Sequence, residues 1–162
     1  FVPQQPFWIK SLTVIENIAI PGVIAGKTFS ESIAIAAKLI ELVGMGKWAN
    51  HRPFDLSGGQ QQRIALARSL LLNPKFIIAD EPTGNLDLKA GEQLMSLVGN
   101  ISRQFQITII MVTHNMDQYK FGSRIINMVD GKVTSDTINQ QFIGMIDEET
   151  VQQAMQETSQ TI

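Results

Sequence analysis

The chain has 162 residues, and 13 Lys and Arg against 15 Asp and Glu give it a formal net charge of −2. Its length predicts one domain with a sizeable core, and a hydrophobic fraction of 44% excludes a disordered chain. The apolar runs are far shorter than the ~20 residues of a membrane span, and the acidic balance argues against a nucleic-acid binder. We expect no secretory signal, because no basic stretch leads into an apolar core. Zero cysteines exclude disulfide bonds and thiolate metal sites.

The first part of the sequence predicts two helices after the end of a strand. Phe1-Val2 is typical of a strand end. Thr13-Val14-Ile15-Glu16 has the spacing of a capping box and predicts a short helix that Pro21 closes. Apolar residues at helical spacing predict the next helix over Ser30–Val43, with Gly44 placed to end it.

The middle of the sequence alternates between helices and strands. A second capping box, Ser57-Gly58-Gly59-Gln60, predicts a helix that runs to Asn73. Beyond it the pattern predicts a buried strand, a helix and two more strands, over Phe76–Ala79, Lys89–Phe105, Ile107–Val112 and Ile125–Val129. This alternation predicts an α/β fold with a parallel sheet. Because residues 13–72 contain no predicted strand, we expect a helical subdomain beside the sheet.

Residues 133–162 differ in composition from the rest of the chain. They hold five acidic residues, no Lys or Arg, and many Gln and Thr. We interpret them as an acidic tail with one short helix around Glu148–Glu157, where Val151 and Met155 lie four residues apart. A solvated tail is favoured over a partner-binding helix.

Two adjacent acidic residues follow the predicted strand Phe76–Ala79. Asp80 and Glu81 therefore lie at the carboxyl edge of the sheet, where open α/β sheets bind their ligands. Two buried carboxylates need a cation, so we predict that Asp80 holds Mg²⁺ through water and that Glu81 polarises an attacking water. The alternative is a strand that ends in a solvated acidic turn, since Pro82–Asn85 has turn chemistry. This segment alone leaves both interpretations open.

The segment Ser57–Gln60 predicts an anion site at the start of a helix. Two glycines after a capping serine allow a ligand to approach backbone N–H groups at the positive end of the helix dipole. The alternative is an ordinary N-cap. Paired glycines in a first turn lower helix stability, which favours the anion site.

His114 directly follows the predicted strand Ile107–Val112 and Thr113. A single histidine after a strand is more often structural than catalytic. Its position at the same sheet edge as Asp80 and Glu81 makes a functional role more credible.

Together these segments resemble one family, the ATP-binding subunits of ABC transporters. Five motifs carry the resemblance: the signature LSGGQ at Leu56–Gln60, the Walker B strand with its catalytic glutamate at Phe76–Glu81, the D-loop at Asn85-Leu86-Asp87, the switch histidine at His114, and the strand end with the Q-loop glutamine at Phe1–Gln4. Order and spacing agree from residue 1 to about 132. The run Asp80–Asp87 is most similar to the subgroup of lipoprotein-release, macrolide-efflux and cell-division ATPases.

The resemblance implies an N-terminally truncated, three-layer P-loop NTPase-like α/β domain with a helical signature subdomain. Residues 1–132 would be the C-terminal part of an ABC ATPase domain, with the helical subdomain at about 11–72 and catalytic core strands and helices at about 73–132. Residues 133–162 would be the tail. The phosphate loop and the adenine-stacking aromatic residue would be missing.

One stretch of the sequence could contradict the expectation that the phosphate loop is missing. A phosphate loop has the pattern Gly-x-x-x-x-Gly-Lys-Ser/Thr, and Gly22–Thr28 has only three residues between its glycines. Pro21, which has no N–H to offer a phosphate, takes the place of the first glycine. We therefore expect a turn before the following helix.

The resemblance also implies the mechanism and the site residues. ATP and Mg²⁺ would be bound in a head-to-tail dimer with a second ATP-binding subunit, which integral membrane permease subunits join at the inner face of the cell membrane. Glu81 and His114 would be catalytic, and Asp80 and Gln4 would bind Mg²⁺ through ATP and water. The ATP-binding residues would be Gln4, Ser57, Gly58, Gly59, Gln60 and Asp87, with Asp87 coupling the two sites.

The implied function is an ATP-hydrolysing motor that powers export or release of a substrate, with this chain alone inactive. A DNA-repair or chromosome-maintenance ATPase is disfavoured, because Gln4 and Ser57 are not separated by heptads and the charge is acidic. A non-hydrolysing scaffold is disfavoured because Glu81 and His114 are both present. A non-transport regulatory ATPase, such as a cell-division subunit, stays open.

Overall fold

The structure is a computed structural model that describes residues 1–139. The chain forms two compact units, Phe1–His114 and a second unit that begins at Asn115. The helix predicted around Glu148–Glu157 lies outside the described residues. Within residues 1–139, no helix is both long enough and apolar enough to cross a membrane.

The first unit contains four helices and two strands in the order predicted from the sequence. They are α1 Val14–Ile24, α2 Phe29–Leu42, α3 Gly58–Leu70, β1 Phe76–Asp80, α4 Leu88–Phe105 and β2 Thr108–Val112. Short 3-10 turns at Gly46–Trp48 and Pro53–Asp55 connect α2 to α3.

Helices α1, α2 and α3 pack against each other through a shared apolar core. Ile18, Ile40 and Ile64 are fully buried there, one from each helix. Each helix begins with a capping box, in which the side chain of the N-cap residue accepts a backbone N–H and the third helical residue bonds back to the N-cap. Residues 13–71 accordingly contain helices and no strand.

The prediction that Pro21 ends the first helix is wrong, because α1 continues to Ile24. Proline removes one backbone N–H from the helix ladder, but the last turn is held by tertiary packing. A Cβ added at Gly22 would lie 2.5 Å from the Ser32 hydroxyl oxygen and 2.9 Å from Leu71 Cδ2. Gly22 thus allows the last turn of α1 to approach α2 and the end of α3 closely, which favours continuation of the helix past Pro21.

Strands β1 and β2 pair in parallel, as predicted, with Phe76 opposite Thr108 and Asp80 opposite Val112. Val2 bridges the other side of β1 at Ala79, which confirms that Phe1-Val2 is a strand end.

Only one face of this two-stranded sheet is buried. Ile77 and Ala79 lie in the core, whereas the opposite face is exposed, with Phe76 57% and Val112 54% accessible. The prediction of a buried strand Phe76–Ala79 therefore holds for one face of the strand and is wrong for the other. Within the described part of the first unit, the open face also lacks the helical layer that a three-layer domain would place on it.

The second unit contains a 3-10 helix over Met116–Phe121 and an antiparallel pair, β3 Arg124–Val129 and β4 Lys132–Ile138. Strand β3 matches the predicted strand Ile125–Val129. Strand β4 corrects the division after residue 132, because the predicted tail 133–162 begins inside a strand. The connecting residues Asp130 and Gly131 both have positive φ, 49° and 73°, as a two-residue hairpin turn requires.

We predict that Gly131→Ala weakens the β3–β4 hairpin by about 1 kcal/mol, because φ is positive there and an L side chain is strained. Gly99→Ala in α4 is the matched control, since its added Cβ also meets open space but φ is not positive. We expect it to stabilise α4 by about 0.5–1 kcal/mol. Amide hydrogen exchange measures both changes, and equal exchange of the hairpin amides in Gly131→Ala and the wild type would contradict the first.

Candidate functional site

The candidate site is built on the carboxyl end of β1, which is held from both sides. The N–H of Asp80 donates to the carbonyl of Val2, and the N–H of Glu81 donates to the carbonyl of Val112, each at 2.9 Å. These bonds fix the backbone from which the Asp80 and Glu81 side chains project. Asp80 is exposed, whereas Glu81 is partly buried.

Glu81 makes a compact hydrogen-bonded group with the end of β2. Its Oε1 accepts from the backbone N–H of His114 at 2.8 Å and lies 2.5 Å from Nδ1 of the His114 ring, while Oε2 accepts from the Thr113 hydroxyl at 3.2 Å. Since a carboxylate only accepts, this geometry selects the form of the imidazole that is protonated at Nδ1. The Glu81 side chain is 16% exposed, and the His114 side chain is 86% exposed.

Backbone geometry also marks Glu81. Its φ of 43° lies in the left-handed region, which costs a non-glycine residue of the order of 1 kcal/mol or more. The N–H of Gly84 closes the following turn on the Glu81 carbonyl at 3.0 Å. The strand therefore ends in a strained turn that directs the carboxylate towards β2.

The pKa of Glu81 is lowered from its ordinary value. Burial raises the pKa, but hydrogen bonds from the His114 ring, the His114 N–H and the Thr113 hydroxyl outweigh it by stabilising the carboxylate. The folded pKa thus lies below the unfolded one. The carboxylate stabilises the fold above the unfolded pKa, and this stability is lost as pH falls through the folded pKa.

Ser57 caps α3, as predicted, and Gln60 completes the capping box. Gln60 N–H donates to the Ser57 hydroxyl oxygen at 3.4 Å, and Ser57 N–H donates to the Gln60 side-chain oxygen at 2.8 Å. Gly58 is exposed, and Gly59 is half-buried. The Gln60 side chain is therefore engaged in holding the helix start.

The glycines of α3 face the loop that follows β1. A Cβ added at Gly58 would lie 3.5 Å from Leu86 Cδ2, and one added at Gly59 would lie 3.4 Å from Ala90 Cβ. Both are ordinary van der Waals distances, so packing within the chain does not require glycine at either position.

Gln4 lies beside the middle of that loop, and Asp87 lies at its end. The Gln4 side-chain nitrogen sits so close to Gly84 that an added Cβ would be 2.8 Å from it. Asp87 is the N-cap of α4 and accepts from the N–H of Ala90 at 2.9 Å. Gln4 is therefore beside the turn after Glu81, and Asp87 has a structural role in this chain.

Asp80 and Gln4 are assigned from the sequence to Mg²⁺ held through ATP and water, and this assignment stays a prediction. No group of three or more His, Asp or Glu side chains able to hold a metal occurs within residues 1–139. Mg²⁺ in phosphate-transfer sites is bound by one or two protein oxygens together with substrate phosphates. Asp80 carries a carboxylate and Gln4 carries an amide oxygen, which are ligand types of this kind.

The segment Gly22–Thr28 forms the end of α1, a turn and the N-cap of α2. Its first residues complete α1, and Thr28 caps α2 through a capping box with Glu31. Thr28 accepts from the Glu31 N–H at 3.2 Å and donates its hydroxyl to the Glu31 carboxylate at 2.7 Å.

Sequence reasoning missed two side chains that position the site. The first is Thr113, whose hydroxyl contacts Glu81. A hydroxyl at the same sheet edge as two carboxylates is a signal from which this contact could be predicted. Gln62, which binds the backbone near Gln4, gives no comparable signal, because a polar residue in an amphipathic helix is normally expected to face water.

Comparison with known proteins identifies the class. A family model described as ABC transporter matches residues 1–84. The chain is 48% identical to an uncharacterised ABC transporter ATP-binding protein of Methanocaldococcus jannaschii, covering 82% of this chain and 59% of that protein. It is 40% identical to the lipoprotein-releasing system ATP-binding protein LolD of Geobacter metallireducens, covering 84% of this chain and 60% of that protein.

Solved structures agree with these relatives. A post-hydrolysis dimer of the ATP-binding cassette MJ0796 bound to ADP and Pi matches with a TM-score of 0.69 and 37% identity, over 80% of this chain and 58% of that one. The chain therefore belongs to the ABC transporter ATP-binding family and has the P-loop NTPase-type fold of its cassettes. It spans about 60% of the length of the curated relatives described above.

We predict that His114→Ala raises the pKa of Glu81, because burial then acts against fewer stabilising hydrogen bonds. Carboxyl carbon NMR across a pH titration measures the change. His51→Ala, at the only other histidine of the sequence, is the matched control and should leave the Glu81 titration unchanged. An unaltered Glu81 pKa in His114→Ala would show that the ring contact does not stabilise the carboxylate.

Proposed function

We propose that this chain is part of the ATP-hydrolysing motor subunit of an ABC transporter, which powers export or release of a substrate through membrane partners. The observation that carries the proposal is the Glu81 carboxylate, held by Thr113 and His114 at the end of β1. It occurs in a chain that belongs to the ABC transporter ATP-binding family.

The Glu81 group supports a role in orienting the attacking water. Its lowered pKa keeps the carboxylate ionised and able to accept a proton from water. Because His114 gives its Nδ1–H to Glu81, its other ring nitrogen donates to a phosphate oxygen only in the imidazolium form. Asp80 and Gln4 would hold Mg²⁺ through ATP and water. When bound, Mg²⁺ would neutralise the charge of the phosphates.

The start of α3 supports a second role, towards an ATP bound on another subunit. Glycines cost a helix up to about 1 kcal/mol each relative to alanine, and the contacts around Gly58 and Gly59 do not require them. Bare backbone at a helix N-terminus favours close approach of an anion. Ser57 and the two glycines would therefore cover the phosphates of a partner's nucleotide, while Gln60 supports the cap and Asp87 holds the adjoining loop.

A head-to-tail dimer follows from this division of roles, because Glu81 and Ser57 would serve different nucleotides. The related cassette MJ0796 is described as dimeric. Relatives named as a lipoprotein-releasing system and as macrolide export proteins support integral membrane permeases as the other partners, at the inner face of the cell membrane.

We predict that Glu81→Gln in the full-length protein preserves ATP binding but slows hydrolysis by about 10²–10⁴-fold, because the amide keeps the shape and cannot accept a proton. Phosphate release and nucleotide-binding assays measure the two effects. Glu92→Gln, on the exposed side of α4, is the matched control, and we expect it to leave turnover unchanged. Undiminished hydrolysis by Glu81→Gln would exclude Glu81 as the base.

We also predict that the 162-residue chain alone binds Mg-ATP very weakly and does not hydrolyse it, because its sequence contains no phosphate loop. Isothermal titration calorimetry with Mg-ATP measures the affinity. Tight binding, abolished by Lys27→Met, would instead assign a phosphate-binding role to the segment Gly22–Thr28.

A further inference from the structure

Gln62 is a buried polar side chain in the middle of α3. It is 3% exposed, and its side-chain N–H groups donate to two backbone carbonyls, that of Pro3 at 3.1 Å and that of Gln4 at 2.6 Å. Its oxygen is buried and has no hydrogen-bond partner within the described residues. A side chain of α3 thus reaches the backbone of the segment that contains Gln4.

The two carbonyls fix the orientation of the Gln62 amide. A flipped amide would bring its oxygen against two other oxygens, so the NH₂ group must face Pro3 and Gln4. This orientation leaves the Gln62 oxygen unpaired, and a buried unpaired acceptor is destabilising. An apolar side chain of the same length would remove that cost but would leave the Pro3 and Gln4 carbonyls without this donor, so the two effects of Gln62 on overall stability oppose each other.

The segment that contains Gln4 is held at two places. On one side, Val2 is bonded to β1 through Ile78 and Asp80. On the other, α3 holds the segment through Gln62. Two further α3 side chains hold its continuation: Gln61 accepts from the Trp8 indole N–H at 2.8 Å, and the Arg68 guanidinium lies 4.4 Å from the Trp8 ring centroid.

We infer that Gln62 is a positioning residue that ties the Gln4 backbone to α3, so that the position of Gln4 depends on the helix that carries the signature motif. The inference deepens the proposed function and rests on its assignment of Gln4 to the nucleotide site. Any movement of α3 relative to β1 must either carry Gln4 along or break the two Gln62 hydrogen bonds. Gln62 would thereby link, within one subunit, the Gln4 segment that serves the chain's own nucleotide to the helix whose first turn serves a partner's nucleotide.

The test uses a nitroxide spin label on Gln5→Cys, an exposed position next to Gln4 in a chain without cysteines of its own. Gln62→Met, of equal length and without donors, should shift the equilibrium of the segment towards the released form by roughly tenfold. The electron paramagnetic resonance line shape then shows a more mobile label. The melting temperature should change little, because the removal of the unpaired oxygen offsets the loss of the two hydrogen bonds.

Gln104→Met, at an exposed glutamine of α4, is the matched control and should leave both measurements unchanged. Gln62→Asn keeps the amide but is one methylene shorter, so its label mobility should lie between wild type and Gln62→Met. Should Gln62→Met fail to fold, a more mobile label in Gln62→Asn supports the inference, and a wild-type line shape overturns it.

An unchanged line shape in a folded Gln62→Met protein overturns the inference. A more mobile label that appears only together with a large fall in melting temperature also overturns it, since that pattern identifies Gln62 as a general core residue. The spectra are recorded without nucleotide, so they decide this inference whatever the hydrolysis assay of Glu81→Gln shows about the proposed function.

Discussion

The placement of the candidate site depends on backbone hydrogen bonds at the carboxyl end of β1. Val2 occupies one side of the strand and β2 the other, so the last residues of β1 are fixed before any side chain is considered. That arrangement brings the ends of two parallel strands together, as the geometry of such sheets requires. Glu81 can adopt a left-handed conformation there because the surrounding bonds outweigh the local strain.

Helix α3 is the second element on which the site depends. Its first turn presents Ser57 and the glycines, and its next turns hold the Gln4 to Trp8 segment through amide and guanidinium groups. Arg68 joins α3 closely to this segment. Its guanidinium donates to the Phe7 carbonyl at 2.6 Å, and burial lowers the pKa of the guanidinium. One helix thus connects the part of the site that we propose for another subunit's nucleotide with the segment that bridges to the chain's own sheet.

Local features of the sequence were sufficient to predict much of the fold. The capping boxes at Thr13 and Ser57 place their helices to within a residue, because a cap is a short-range interaction. Features decided by packing were missed: Pro21 stays helical because Gly22 contacts neighbouring helices, and β1 has an open face. The β3–β4 hairpin could have been predicted, since Asp130-Gly131 between apolar runs is typical of a tight turn. Glu81 and His114 were predicted at one edge, but their direct contact required coordinates.

The bare backbone of Gly58 and Gly59 sets thermal stability against the role that we propose for the start of α3. Alanine at Gly58 fits beside Leu86 at an ordinary distance and improves helix propensity. A library selected for expression or thermal tolerance would therefore enrich alanine at this position, and the added methyl group would occupy the space that the proposed function assigns to a partner subunit's nucleotide. Stability-guided engineering of this protein, which commonly replaces glycine by alanine, should leave the first turn of α3 unaltered.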